Sequence, residues 1–116
     1  MTRGIEGRVG RDGLFALQTE STEVVERVRV LGEVDLSVVD ALDTEMRRAE
    51  ATEAGRIELD LGRLEFLDAS GVRFLLALTR RSQSNGRRLR IRPARAPQVR
   101  RVLELTGVGA RLPIET

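Results

Sequence analysis

Two short segments of the sequence carry residue types that could do chemistry. Phe66-Leu67-Asp68-Ala69-Ser70-Gly71-Val72 sets a carboxylate, a hydroxyl and small residues behind an apolar run, and Gly32-Glu33-Val34-Asp35 sets two carboxylates behind another. A helix that starts at about Ser70 presents unpaired N–H groups and partial positive charge, so Asp68 or Ser70 can cap it, and Gly71 lets another backbone come close. A hydroxyl in that position could receive a phosphate held by the same N–H groups. Nearly two negative charges would then stand beside Asp68 and repel a bound partner. By residue type alone, the first segment reads foremost as a cap and turn, and the second as a polar turn that ends in a helix cap.

Composition closes most other routes. The 116 residues include no cysteine and no histidine, so thiolate nucleophiles, imidazole bases, disulfides and the common zinc sites are unavailable. Asp60, Glu65 and Asp68 have no metal-binding spacing, and no Gly-rich phosphate loop is present. An enzyme reading is therefore weak, and no cofactor and no metal are expected.

All 20 basic residues are arginine and the net charge is +2. The sequence pI of about 10.7 follows from the near-absence of groups that titrate between the carboxylates and arginine. The distribution is lopsided: Arg80 to Arg101 holds nine arginines and no acid, whereas Glu20 to Asp68 holds fourteen acids against six arginines. The stripe reads as a charged outer face, with Arg87, Arg88, Arg90 and Arg92 guarding a sheet edge. With three Phe and no Tyr or Trp to stack on bases, no direct nucleic-acid binding is expected. No apolar run approaches the roughly 20 residues of a membrane span, so no membrane insertion is expected and a cytoplasmic location is the default.

The segments need a frame to position them, and periodicity supplies one. Leu14 to Glu20 and Val24 to Leu31 read as two strands joined by a polar turn at Ser21 to Glu23, and Ile57, Leu59 and Leu61 as a third. Val38, Leu42, Met46 and Ala49 recur at helical spacing, with Ser37 as N-cap and Gly55 as the stop. A second helix from about Ser70 buries Val72, Leu75, Leu76 and Thr79. Leu89 and Ile91 form a short strand. Pro97 opens a third helix with Val99, Val102, Leu103 and Thr106 on one face and Gly107 as its cap, and Leu112 and Ile114 suit a final edge strand. The order is a β-hairpin feeding right-handed βα units, in which partners meet the carboxyl ends of the strands.

Four of these stretches, in this order, resemble the STAS domain family, and within it the stand-alone bacterial anti-sigma factor antagonists. They are Val30 to Asp35, Ile57 to Leu61, Phe66 to Val72, and Val99 to Gly107. The resemblance implies an α/β fold, a STAS-type mixed sheet of four or five strands with helices, with residues 1–13 as a flexible N-terminal segment and 14–116 as one STAS-like domain. It further implies a bacterial, cytoplasmic protein that binds an anti-sigma factor that is also a serine kinase, and so frees a sigma factor for transcription. In the family the kinase phosphorylates the start of the second helix and a phosphatase reverses it. The usual acceptor directly follows the aspartate, and that position is Ala69 here, so Ser70 is either a displaced acceptor or only a cap. The partner surface implied is Gly32, Glu33, Asp35, Asp68, Ala69, Ser70, Gly71 and Arg73. STAS-like subunits also serve in lipid-transport ATPase complexes and stress-sensing assemblies, which is the alternative role.

Overall fold

The computed structural model describes residues 2–9, 14–86 and 88–115. Five strands stand in chain order in one sheet: β1 (Thr2–Val9), β2 (Leu14–Ser21), β3 (Val25–Val34), β4 (Arg56–Leu67) and β5 (Leu89–Arg92). β1, β2 and β3 pair antiparallel, while β3, β4 and β5 pair parallel. The parallel pairs require crossovers, which α1 (Leu36–Glu50) and α2 (Ala69–Ser84) provide. α3 (Pro97–Leu105) and a 3-10 turn (Val108–Arg111) complete the chain.

One contiguous core joins the strand residues Val28, Val30, Leu59 and Ile91 to Val38, Leu42 and Met46 of α1, Leu75 and Leu78 of α2, and Val99 and Leu103 of α3. The helical spacing of three and four in α1 is therefore the spacing of its buried stripe. In α2 the buried set includes Phe74 and Leu78, and Leu76 is only partly buried.

Several expectations are corrected. Thr2–Val9, where the sequence reading expects no strand, pairs as β1 with the outer edge of β2, which offers a row of N–H and C=O groups. Residues 10–13 of the N-terminal segment lie outside the described residues, as does Arg87. The cap of α1 is Asp35 rather than Ser37: its carboxylate accepts the Ser37 N–H at 2.9 Å. Leu112 and Ile114 form no strand; a single parallel bridge links Ile91 to Ile114.

The side chains on the other face of the sheet are charged and in register. Glu20, Arg27 and Glu58 stand opposite one another across β2, β3 and β4, and the next row is Gln18, Arg29 and Asp60. Arg27 bonds Glu20 at 2.7 Å and Glu58 at 3.2 Å, and Arg29 bonds Gln18 at 2.6 Å and Asp60 at 3.2 Å. Arginines of the basic stripe are used similarly. Arg81 holds Glu50 and Asp43 of α1, and Arg88 donates to the carbonyls of Glu50, Thr52 and Ala54 just past α1. Arg81 and Arg88 are thus internal scaffolding, while Arg80, Arg90, Arg92, Arg95, Arg100 and Arg101 are exposed, as a charged outer face would be.

Glu58 is almost fully covered, and desolvation pushes its carboxyl up. The Arg27 hydrogen bond and the charges of Arg27, Arg56 and Arg92 outweigh that push and hold the carboxyl below its ordinary 4.5. A carboxylate lowered in the folded state binds its proton later than the unfolded chain does as the pH falls. Its stabilising contribution is therefore complete above 4.5 and is lost as the pH falls through the folded value. Asp43 behaves in the same sense: burial raises it, and Arg47 and Arg81 lower it by more. The urea midpoint of the protein is expected to drop between about pH 5 and about pH 3, and Glu58→Gln is expected to flatten that slope. An equal slope in the variant would remove Glu58 from the account.

Candidate functional site

The two segments singled out in the sequence meet at the carboxyl ends of β3 and β4. Val34 is in register with Leu67 and Glu33 with Phe66, and the Asp68 N–H donates to the Val34 carbonyl at 3.2 Å. α1 and α2 both start here, each capped by an aspartate in extended backbone, Asp35 and Asp68. Two helix N-termini with their partial positive charge therefore sit side by side at one end of the sheet.

The caps use up most of the polar groups. Asp35 is buried and takes both the N–H and the hydroxyl of Ser37. The Asp68 carboxylate accepts the Gly71 N–H at 3.1 Å and the Ser70 hydroxyl at 2.5 Å. Ser70 is only 8% exposed. Of the two roles open to Ser70 in the sequence, its geometry is that of a cap partner pointing inward.

Gly71 is buried for a packing reason. A Cβ there would lie 2.2 Å from Leu67 Cδ1 and 3.1 Å from Val34 Cγ1, so its absence lets α2 sit down on the strand ends. Gly32 lies within β3 at a φ of +88°. Asp35, Ser70 and Gly71 thus build the site from within, Gly32 and Glu33 are half-buried, and Ala69 and Arg73 are exposed.

The structure adds two residues that the sequence reading missed. Leu36, the first residue of α1, is 73% exposed, and Phe66 is 39% exposed. Leu36 lies off the buried stripe of α1, so an apolar residue out of phase was a usable signal. Phe66 gave none, because β4 carries two register irregularities against β3, between Arg29/Leu31 and Gly32/Glu33, which change the phase of its side chains. At this end of the sheet Leu36, Phe66, Ala69 and Arg73 are exposed and Glu33 is half-buried: two apolar residues, a bare helix start at Ala69, one arginine and one acid. Such a surface suits capture of a macromolecule rather than turnover of a small one.

Among the described residues no helix is long and apolar enough to cross a membrane, and no group of three or more His, Cys, Asp or Glu could hold a metal ion.

A family model described as "Mlab, STAS domain" matches residues 17–114. The structure is similar to a crystal structure of an anti-sigma factor antagonist from Mycobacterium paratuberculosis, with a TM-score of 0.74 and 27% identity over 92% of this chain and 89% of that one. It is also similar to the anti-sigma factor antagonist SpoIIAA in its unphosphorylated form, with a TM-score of 0.69 and 26% identity over 86% of this chain and 88% of that one. For the Bacillus cell fate determinant SpoIIAA in the phosphorylated form the TM-score is 0.62 and the identity 25%, over 86% and 91% of the two chains. A comparison with curated proteins found no match.

Proposed function

The chain belongs to the STAS domain family, and from that premise we propose that it is an anti-sigma factor antagonist that docks on a serine-kinase-type anti-sigma factor. The observation that carries this reading is the exposed start of α2 at Ala69, with Phe66 and Leu36 exposed at the same end of the sheet, in a fold similar to two antagonists along most of its length. Phe66 and Leu36 act as the apolar anchors, Arg73 and Glu33 as the polar rim, and Asp68 and Asp35 keep both helix starts in place.

The same geometry supports binding without the covalent switch at this place. The exposed residue after Asp68 has no hydroxyl to phosphorylate. Ser70 would have to leave Asp68 and turn outward, and its phosphate would then stand against that carboxylate. Control then falls to the amounts of the partners or to a further protein, and a phosphatase has no substrate at this position.

Titration calorimetry against candidate kinase-type anti-sigma factors, followed by sigma-factor release, tests the reading. Phe66→Ala and Leu36→Ala are each expected to weaken capture about tenfold (~1.4 kcal/mol) while the domain stays folded. Unchanged affinity in both would remove this surface from the interface. Binding to a transporter ATPase subunit and to no anti-sigma factor would select the lipid-transport role instead.

A further inference from the structure

Away from the docking end, a half-open cleft of about 960 Å³ lies between β4, β5, the start of α3 and the C-terminal segment. Five arginines line it: Arg29, Arg63, Arg92, Arg95 and Arg100. Its two carboxylates are already engaged, Asp60 by Arg29 and the Gly62 N–H, and Glu115 by Arg56. Arg63, Arg95 and Arg100 make no ion pair among the described residues, and all three are exposed. The cleft therefore presents several uncompensated guanidinium groups, which favour a phosphate or carboxylate.

A second cavity of about 370 Å³ adjoins it and shares Pro93, Ala94 and Arg100 with it. This one runs between α3 and the 3-10 turn; Leu61, Leu103, Ala110 and Ile114 give it a mostly apolar lining, and Arg100 and Glu104 are its charged members. Its volume is in the range of small-molecule sites. A mostly apolar groove that opens directly onto free arginines, with Arg100 at the junction, has the polarity pattern of one kind of molecule.

We propose that this face binds a single-chain amphiphile, with its anionic head (phosphate or carboxylate) on Arg63, Arg95 and Arg100 and its aliphatic chain in the groove under α3. The commitment is to the monomeric amphiphile; the charge complementarity of the junction argues for an anionic head, and the apolar lining for a chain. The site is separate from the docking end and stands whether or not the antagonist reading holds.

The test is calorimetric titration of the full chain with dodecyl phosphate and dodecanoate below their micelle concentrations, with inorganic phosphate, a neutral dodecyl glycoside and anionic phospholipid vesicles as the other arms. Saturable binding of the dodecyl anions is expected, with inorganic phosphate and the neutral glycoside each weaker by tenfold or more. Removing two methylenes from the chain should cost on the order of tenfold. Arg100→Glu and Ala110→Trp should each weaken binding at least tenfold, the first by removing the head-group charge and the second by filling the groove from an exposed position. Should Ala110→Trp fail to fold, Arg63→Glu at the exposed rim of the cleft carries the same expectation of weaker binding. Dodecyl anions bound no better than inorganic phosphate, insensitivity to the folded variants, or binding to vesicles without binding to monomers would each overturn the proposal.

Discussion

Gly32→Ala is expected to cost the domain about 4 kcal/mol, a large share of the roughly 5–15 kcal/mol that holds a domain of ordinary stability together. Two effects add. The backbone sits at a φ of +88°, where a side chain is strained by about 1–3 kcal/mol. The new Cβ would also stand 1.9 Å from the Leu14 carbonyl oxygen and 2.9 Å from its carbon. That obstacle is backbone at the start of β2, so relief requires moving a strand, and crowding of this kind costs a further 1–3 kcal/mol or so. Gly107→Ala is the matched control: its φ is also positive, at +71°, but nothing lies within 4 Å of the added atom, so a loss of only about 1 kcal/mol is expected. Urea unfolding of the two variants measures the difference. Equal losses would mean that the start of β2 yields freely and that the close approach carries no energy.

Ala69→Glu is expected to reduce capture of the anti-sigma factor about 100-fold (~2.7 kcal/mol) without lowering thermal stability. The opposite signs come from the same place. An acid in the first turn of α2 meets the positive end of the helix and gains about 0.3–1 kcal/mol for the fold. At the proposed interface that acid stands exposed where a partner must approach, and burying it unpaired is costly. Calorimetric affinity together with the melting temperature separates these effects, and an unaltered affinity would show that Ala69 is not at the interface. Ala69→Ser extends the test: with a cognate kinase and ATP, mass spectrometry should find phosphate on the introduced hydroxyl and none on Ser70 of the wild type. Phosphate on Ser70 of the wild type would contradict the inward cap role.

Both predictions depend on features that the sequence shows unequally. Asp68 before Ala69, Ser70 and Gly71 is legible as a helix start, because an acid, small residues and then a helical apolar period are local signals. That Asp68 rather than Ser70 caps the helix is decided by which oxygen reaches the Gly71 N–H, which depends on the angle at which β4 delivers the chain. Gly32 and Gly71 read as parts of a partner surface, yet each owes its place to close packing, against Leu14 in one case and Leu67 and Val34 in the other. Leu14 and Val34 are distant in sequence from the glycines they meet, so no local pattern announces those approaches. β1 was missed for a similar reason: a Gly-rich, charge-alternating segment has little apolar content, and its strand exists because β2 has an edge to satisfy.

Short-range regularities were enough to determine most of the elements, through alternation for β3 and β4 and three-and-four spacing for α1 and α3, and the absence of His and Cys was enough to rule out thiol and imidazole chemistry. Those signals are local because backbone hydrogen bonding repeats every two or every 3.6 residues. Only the tertiary structure decided which side chains remain in reach of water. The register irregularities of β4 turn Phe66 outward, the aspartate cap turns Ser70 inward, and carboxylates pair Arg81 and Arg92 of the arginine stripe while Arg95 and Arg100 of the stripe, and Arg63 of β4, make no ion pair among the described residues. Exposure is a property of neighbours brought together by folding, and a chain read one residue at a time does not contain them.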